Sequence, residues 1–342
     1  MKKPEVDRAV LARRCEIAER LRNVVGREWV LDAESERRPY ESDGLMAYSA
    51  LPLLVVLPDS TEQVRQILRY YRAEGIKLVP RGSGASLSGG ALPLKDGILL
   101  TTARMNRIIA VDAENTIARV QPGVQNIRVA EAVQHLGLCF MPDPSSQAIS
   151  TVGGNVAENS GGVHCLKYGV ISNHITGIEA VLLNGDIVRF GGDFLGGADQ
   201  DFDLTAAMIG PTEEGLLAVI TEISLRLVPQ PPSARVLSLG FASIDAASRY
   251  VGAIIAHGII PAGLEFMDRK CIDAFSDYLG NTVKQELEAV LLCELDGPVV
   301  EVDSLLSDVE AIAREIRLAD LQTSSTEEER AQLWLGRKSV DG

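Results

Sequence analysis

The stretch Pro142–Gly169, PDPSSQAISTVGGNVAENSGGVHCLKYG, limits what this chain can fold into more than any other segment. It is too polar and glycine-rich for a core element, and it has too few charges for a solvated tail. Two glycine pairs, Gly153-Gly154 and Gly161-Gly162, enclose Asn155 and Asn159. Glycine lacks a Cβ and tolerates positive φ, so backbone amides there can close on a ligand. Successive free N–H groups make a concave anion site. An Asn amide adds a donor and an acceptor suited to the edge of a planar heterocycle. Loops of this length are functional or disordered. The apolar segments that bracket it argue for function.

A second glycine loop, Arg81–Gly90 (RGSGASLSGG), lies upstream. It follows a strand pattern, Ile76–Pro80, which itself follows a strand (Leu53–Leu57) and a helix that Gly75 ends. Ser60 and Gln63 make a capping-box pattern at the start of that helix. A GxGxxG dinucleotide turn would need glycine where Leu87 stands, and the GK[ST] of a P-loop is absent. The loop still offers many amides, the hydroxyls of Ser83, Ser86 and Ser88, and the Arg81 guanidinium at a strand end. A diphosphate would satisfy those donors. A flexible linker is the competing reading.

The remaining pattern is mixed helix and strand. Residues 8–25 have helical spacing. Strands are expected at Ile98–Thr101, Ile108–Asp112 and Thr116–Gln121, and a helix over 125–136. Asn184-Gly185 between two apolar runs predicts a hairpin. Val219–Val228 alternates like a half-buried strand. From Ser233 the order reads strand (234–241), helix (244–257), strand (263–267), helices, strand (289–295), helix (300–315), and a last helix over 325–338 capped near Thr326.

The chain has 342 residues and a formal net charge of −14, which argues against nucleic acid as a partner. Its five cysteines are widely spaced without a CxxC, so neither an iron–sulfur nor a zinc-finger site is expected. No apolar run is long enough to span a bilayer, which needs about 18 residues, and MKKPEVDRAV does not read as a signal peptide. The expected location is therefore the cytoplasm.

Together these segments resemble the FAD-linked 2-hydroxy-acid dehydrogenases, a vanillyl-alcohol-oxidase-type family. The residues that carry the resemblance are VPRGSGASLSGG (79–90), PDPSS (142–146), TVGGN (151–155), ENSGGVHCLKYG (158–169) and LEFMD (264–268). GGVHCLKYG and LLCELDG (291–297) are most similar to the FAD-bearing subunits of bacterial glycolate oxidases. The resemblance implies an α+β chain. A p-cresol-methylhydroxylase-type (PCMH-type) FAD-binding domain of two α+β subdomains would precede an incomplete ferredoxin-like cap over the flavin. The corresponding boundaries are an N-terminal helical segment (1–50), the FAD domain (51–230) and the cap (231–342).

By resemblance, non-covalent FAD would be held by Pro80, Arg81, Gly82, Ser83, Gly84, Ala85, Ser86, Ser88 and Gly89. Thr151, Gly153, Gly154 and Asn155 would face them across the diphosphate, and Pro144 and Ser145 would lie along the cofactor. Asn159, Gly161, Gly162 and Tyr168 would line the flavin, with Glu214, Gly215 and Ile220 near the adenine. The last loop departs from the family's GSEGTLG: here it is Gly210–Ala218, GPTEEGLLA, longer and with Ala218 in place of a glycine. Arg337 sits where relatives place a carboxylate-binding arginine. Relatives continue beyond the equivalent of Gly342, and that further segment carries their metal ligands and catalytic base, so no metal site is expected here. The substrate would be a small 2-hydroxy acid. Partners would be a flavoprotein-like and an iron–sulfur subunit, delivering electrons to quinone at the periphery of the inner membrane. Three readings stay open: an FAD-dependent dehydrogenase subunit, an FAD-binding module without turnover, and a nucleotide binder without redox chemistry.

Overall fold

A computed structural model describes residues 5–191, 204–210, 216–279, 286–316 and 318–338, the side chains of 275–279 and 335–338 excepted. The chain divides into two units: residues 1–140, 146–160 and 170–228 form the first, and 141–145, 161–169 and 229–342 the second.

The first unit opens with α1 (Arg8–Ala12) and α2 (Arg14–Val25), two helices where the spacing predicts one. The break falls at Arg13, whose N–H bonds back to the Val10 and Leu11 carbonyls. After β1 (Val30–Leu31) and α3 (Glu34–Arg37), β2 (Leu54–Val56) leads through α4 (Thr61–Glu74) to β3 (Lys77–Arg81), then β4 (Gly97–Thr101). The first sheet has the order β1-β2-β4-β3, with β2 and β3 both parallel to β4. β4 is flanked on both edges and buried on both faces, so it reads GILLT without alternation. Gly75 ends α4 at φ +64°, a left-handed position suited to glycine. The capping box is not formed: Gln63 Oε1 accepts from Asp59 N at 2.9 Å, one residue before the N-cap, and the Ser60 side chain makes no cap bond. Ile17, Leu21, Leu54, Ile67, Leu68, Ile98 and Leu100 form one core. The N-terminal helices contribute Val10, Ile17, Ala18, Leu21 and Val25 to it.

The second sheet of this unit has the order β5-β6-β10-β8-β9 and is antiparallel throughout. β5 is Ile108–Asp112 and β6 Ile117–Val120. α5 (Asn126–Gln134), β7 (Leu138–Cys139) and α6 (Val152–Glu158) precede β8 (Ile175–Leu182) and β9 (Ile187–Gly191), which the Asn184-Gly185 turn joins as expected. β10 (Ala218–Arg226) is central and more buried than its alternation suggests, because Ala218, Ile223 and Leu225 pack in one core cluster and Val219 in another. The unit ends at Val228, the first residue of β11 (Val228–Pro229). α5 and α6 pack Val129, Val133, Val152 and Val156 on this sheet.

The second unit contains α7 (Cys165–Tyr168) and the run β12 (Ser233–Phe241), α8 (Ile244–Ala256), β13 (Gly263–Asp268), α9 (Arg269–Leu279), β14 (Ala289–Gly297), α10 (Val299–Ile316), β15 (Asp320–Thr323) and α11 (Glu327–Lys338). The antiparallel sheet order β13-β14-β12-β15 is that of a ferredoxin-like unit, with α9 added. β15, a short edge strand that the sequence pattern does not signal, supplies the fourth strand. α8 and α10 cover one face over Leu237, Leu239, Leu291, Cys293 and Leu295. Tyr250 is fully buried there and donates to the Val309 carbonyl at 3.0 Å.

Ile98 is fully buried, paired with Leu54 on one side and Leu78 on the other. Ile98→Ala should leave a cavity at the centre of the first sheet and cost about 2–5 kcal/mol, read as a lower urea midpoint. A loss below about 1 kcal/mol would contradict this packing.

Candidate functional site

The first unit holds a cleft of about 410 Å³ between the end of β3 and the start of α6. Pro80, Arg81, Gly82, Ser83, Gly84, Ala85, Ser86 and Ser88 line one side, and Thr151, Gly153, Gly154 and Asn155 the other, with Ile220 from β10. The two glycine segments, far apart in sequence, therefore meet on one cavity.

The meeting is too close for side chains. A Cβ on Gly82 would overlap Thr151 Oγ1, and one on Gly153 would meet Pro122 Cβ at 2.5 Å. Thr151 is held there because it is the N-cap of α6: its Oγ1 accepts from Gly154 N at 3.3 Å. The other leading amides of α6 are also engaged. Val152 N donates to the Val124 carbonyl and Gly153 N to the Pro122 carbonyl, both at 2.8 Å. The backbone amides left for a ligand therefore lie on the β3 side.

There the geometry is favourable. Gly44 N donates to the Gly84 carbonyl at 2.8 Å and Leu45 N to the Ser86 carbonyl at 3.2 Å. In a planar trans peptide the following N–H points opposite to the carbonyl. Ala85 and Leu87 N–H are thereby aimed away from the 44–45 segment. Among the described residues, the N–H groups of Gly82, Ser83, Gly84, Ala85, Ser86 and Leu87 donate to no protein acceptor. Such a run of cleft-lining donors fits a diphosphate.

Arg81 lines the cleft, and one nitrogen of its guanidinium is engaged with the protein. Nη1 donates to the Ser42 carbonyl at 2.7 Å and the Tyr40 carbonyl at 3.3 Å, and the group lies against the Tyr40 ring. Burial holds its pKa below the ordinary arginine value, with Asp43 opposing. Its role is to anchor the 40–45 segment that orients the glycine loop. The two asparagines are likewise internal. Asn155 Oδ1 accepts from Asn126 Nδ2 at 3.0 Å and its Nδ2 donates to Ser160 Oγ at 3.3 Å. Asn159, left-handed at φ 48°, accepts from Ser172 N at 3.0 Å and does not line the cleft. Gly89 is in the same loop but off the cleft wall. Glu214 and Gly215, and the Arg337 side chain, lie outside the described residues. Residues the sequence reading missed include Leu87, Thr102, Ser146, Ser150, Glu158 and Met208. Glu158 had a local signal, since it directly follows the glycine-rich turn of helix; its carboxylate accepts from Ser88 Oγ at 3.2 Å.

Pro144, Ser145, Gly161, Gly162 and Tyr168 belong to the second unit, which has a polar cluster of its own. Two carboxylates on one face of β14 organise it. Asp296 accepts from Tyr168 Oη at 2.6 Å and from Lys167 Nζ at 2.5 Å. Glu294 accepts from Trp334 Nε1 at 2.5 Å and lies 3.8 Å from His164 Nε2. His164 Nδ1 is 2.9 Å from Asp143 Oδ2, and Gly162 packs on the Asp143 backbone. Burial alone would lower the His164 pKa. The bonds and charges of Asp143 and Glu294 outweigh it and push the value up to about 10.

The chain matches the family described as "FAD binding domain" over residues 52–191, and "FAD linked oxidases, C-terminal domain" over 230–342. It is 45% identical over 311 residues to the glycolate oxidase subunit GlcD of Escherichia coli (strain K12), covering 91% of this chain and 62% of that one. It is 40% identical to the GlcD of Bacillus subtilis (strain 168), covering 95% and 68%, and 34% identical to a D-lactate dehydrogenase of Archaeoglobus fulgidus, covering 82% and 61%. The chain thus spans 62% of the length of the Escherichia coli relative. Among solved structures, 4-ethylphenol oxidase from Gulosibacter chungangensis superposes with TM-score 0.80 at 20% identity, covering 99% of this chain and 71% of that one. p-Cresol methylhydroxylase superposes with TM-score 0.78 at 20% identity, covering 99% and 73%. These likenesses establish a PCMH-type fold.

Gly82→Ala should force Thr151 and the strand end apart. The expected result is a stability loss of about 1–3 kcal/mol and an FAD dissociation constant raised by about tenfold or more, read by melting and by flavin fluorescence. An unchanged constant would contradict the close approach.

The His164 pKa is raised above its ordinary value of 6.5, so its contribution is complete below that pH and is lost as pH rises towards about 10. Wild-type unfolding midpoints should fall across that window more steeply than those of His164→Gln. Parallel profiles would contradict the double contact.

Proposed function

The chain belongs to the FAD-linked oxidases and its cofactor is FAD, and from that premise we propose that it oxidises a small 2-hydroxy acid, glycolate to glyoxylate or D-lactate to pyruvate. The observation that carries the reading is the run of cleft-lining amides from Gly82 to Leu87 that donate to no protein group, set against Thr151 at Cβ-free distance. That donor set fits a dinucleotide diphosphate, and relatives named glycolate oxidase subunit and D-lactate dehydrogenase supply the substrate class.

When bound, FAD supplies a hydride acceptor at the flavin N5. The chain's own residues act around it. Pro80, Arg81, Gly82, Ser83, Gly84, Ala85, Ser86 and Ser88 present the backbone that would wrap the diphosphate, with Gly89 assigned to it by resemblance alone. Thr151, Gly153, Gly154 and Asn155 close the other wall, and Ile220 adds an apolar surface. The assignments of Pro144, Ser145, Asn159, Gly161, Gly162, Tyr168, Glu214 and Gly215 along the cofactor rest on resemblance. Arg337 holds the substrate carboxylate, a task that a bidentate guanidinium performs better than an ammonium. His257 is not assigned as the proton acceptor, because its Nδ1 lies 2.7 Å from the Ala253 carbonyl at the end of α8. The domain reading is an N-terminal helical segment (1–50), an FAD domain over 51–230 and a cap over 231–342. Electrons pass to partner subunits, one flavoprotein-like and one iron–sulfur, at the inner-membrane periphery. The chain itself contributes no helix, among the described residues, long and apolar enough to cross a membrane.

The test is anaerobic mixing of the purified yellow chain with glycolate or D-lactate. Bleaching of the flavin's visible absorption is expected. Flavin that dithionite bleaches but neither acid does would favour an FAD-binding module without turnover. A chain that stays colourless with excess FAD would overturn the cofactor assignment as well.

A further inference from the structure

We propose that the Ser150 hydroxyl is a binding group for the dinucleotide, donating to a phosphate oxygen where the two glycine segments converge. The inference rests on the FAD reading above and names a residue that reading does not use. Ser150 lines the cleft, is only 5% exposed, and its Oγ has no hydrogen-bond partner. A buried hydroxyl without a partner is a standing cost that folded proteins retain only for a reason.

The surroundings show why the hydroxyl is left over. The Ser150 backbone is fixed at both ends: its N–H donates to the Ser146 carbonyl at 2.7 Å, and its carbonyl accepts from Asn126 N at 2.9 Å. The side chain can turn, but it cannot be carried elsewhere by a backbone shift. The adjacent hydroxyl, Thr151 Oγ1, already accepts from Gly154 N and packs on Gly82. Of two neighbouring hydroxyls, one therefore builds the site and one is spare. The spare one lines the same cleft as the loop whose amides likewise have no protein acceptor. Asp43 also keeps a buried oxygen without a partner, but it does not line the cleft. A ligand rich in acceptor oxygens satisfies both the amides and the Ser150 donor at once.

The test uses the full-length chain, stripped of flavin, as wild type, Ser150→Ala and Ser150→Cys. Three quantities are measured: melting temperature without ligand, FAD affinity by fluorescence quenching, and the competition constant of ADP, which carries the diphosphate without the flavin. Both variants should melt at or above the wild-type temperature and lose roughly fivefold in affinity for FAD and for ADP alike. Unchanged FAD affinity would overturn the proposal. So would weaker FAD binding with unchanged ADP competition, or a lower ligand-free melting temperature, since these place the hydroxyl elsewhere on the ligand or in the fold. Wild type that fails to bind FAD at all would instead overturn the FAD reading.

Discussion

The approach of Gly82 to Thr151, closer than any Cβ allows, is the constraint on which the cleft depends. It brings a strand end and a helix start together with nothing between them but backbone and one threonine hydroxyl. Each side is secured separately. On the strand side, β3 is parallel to the buried β4, and Thr102 N donates to the Arg81 carbonyl at 3.0 Å. On the helix side, carbonyls of Pro122 and Val124 accept from Gly153 and Val152. A helix beginning Val-Gly-Gly-Asn has poor intrinsic propensity. α6 therefore owes its existence to these tertiary bonds and to Val152 and Val156 in the core.

A division of labour follows between carbonyls and amides in the 82–88 loop. Its Gly84 and Ser86 carbonyls are taken by the 44–45 segment, which Arg81 in turn anchors from below. The amides are what remain for a ligand. Arg81 Nη1 thus also helps to fix the loop that presents neutral donors. Such preorganised donors bind without the entropy cost of ordering a flexible loop at the moment of binding.

Much of this was legible in the sequence because the signals were local. Gly75 after a periodic helix, Asn184-Gly185 between two apolar runs, and a strand emptying into RGSGASLSGG each carry their own geometry. Three features were not legible, for identifiable reasons. Asn155 and Asn159 look like ligand groups by type, and their bonds to Asn126, Ser160 and Ser172 are partners that local sequence does not fix. β15 is short and half exposed, so it lacks alternation, and only pairing with β12 makes it a strand. The grouping of 161–169 with β14 depends on Glu294 and Asp296 meeting His164, Lys167 and Tyr168 across more than a hundred residues, a distance at which pattern carries no signal.

Amide hydrogen exchange over residues 82–91, with and without FAD, tests the central claim most directly. Amides without a protein partner exchange rapidly, and a bound diphosphate would give them acceptors. The account predicts that FAD slows exchange in this peptide and leaves the interior of β4, already hydrogen-bonded on both sides, almost unchanged. FAD binding with unaltered exchange over 82–91 would contradict it.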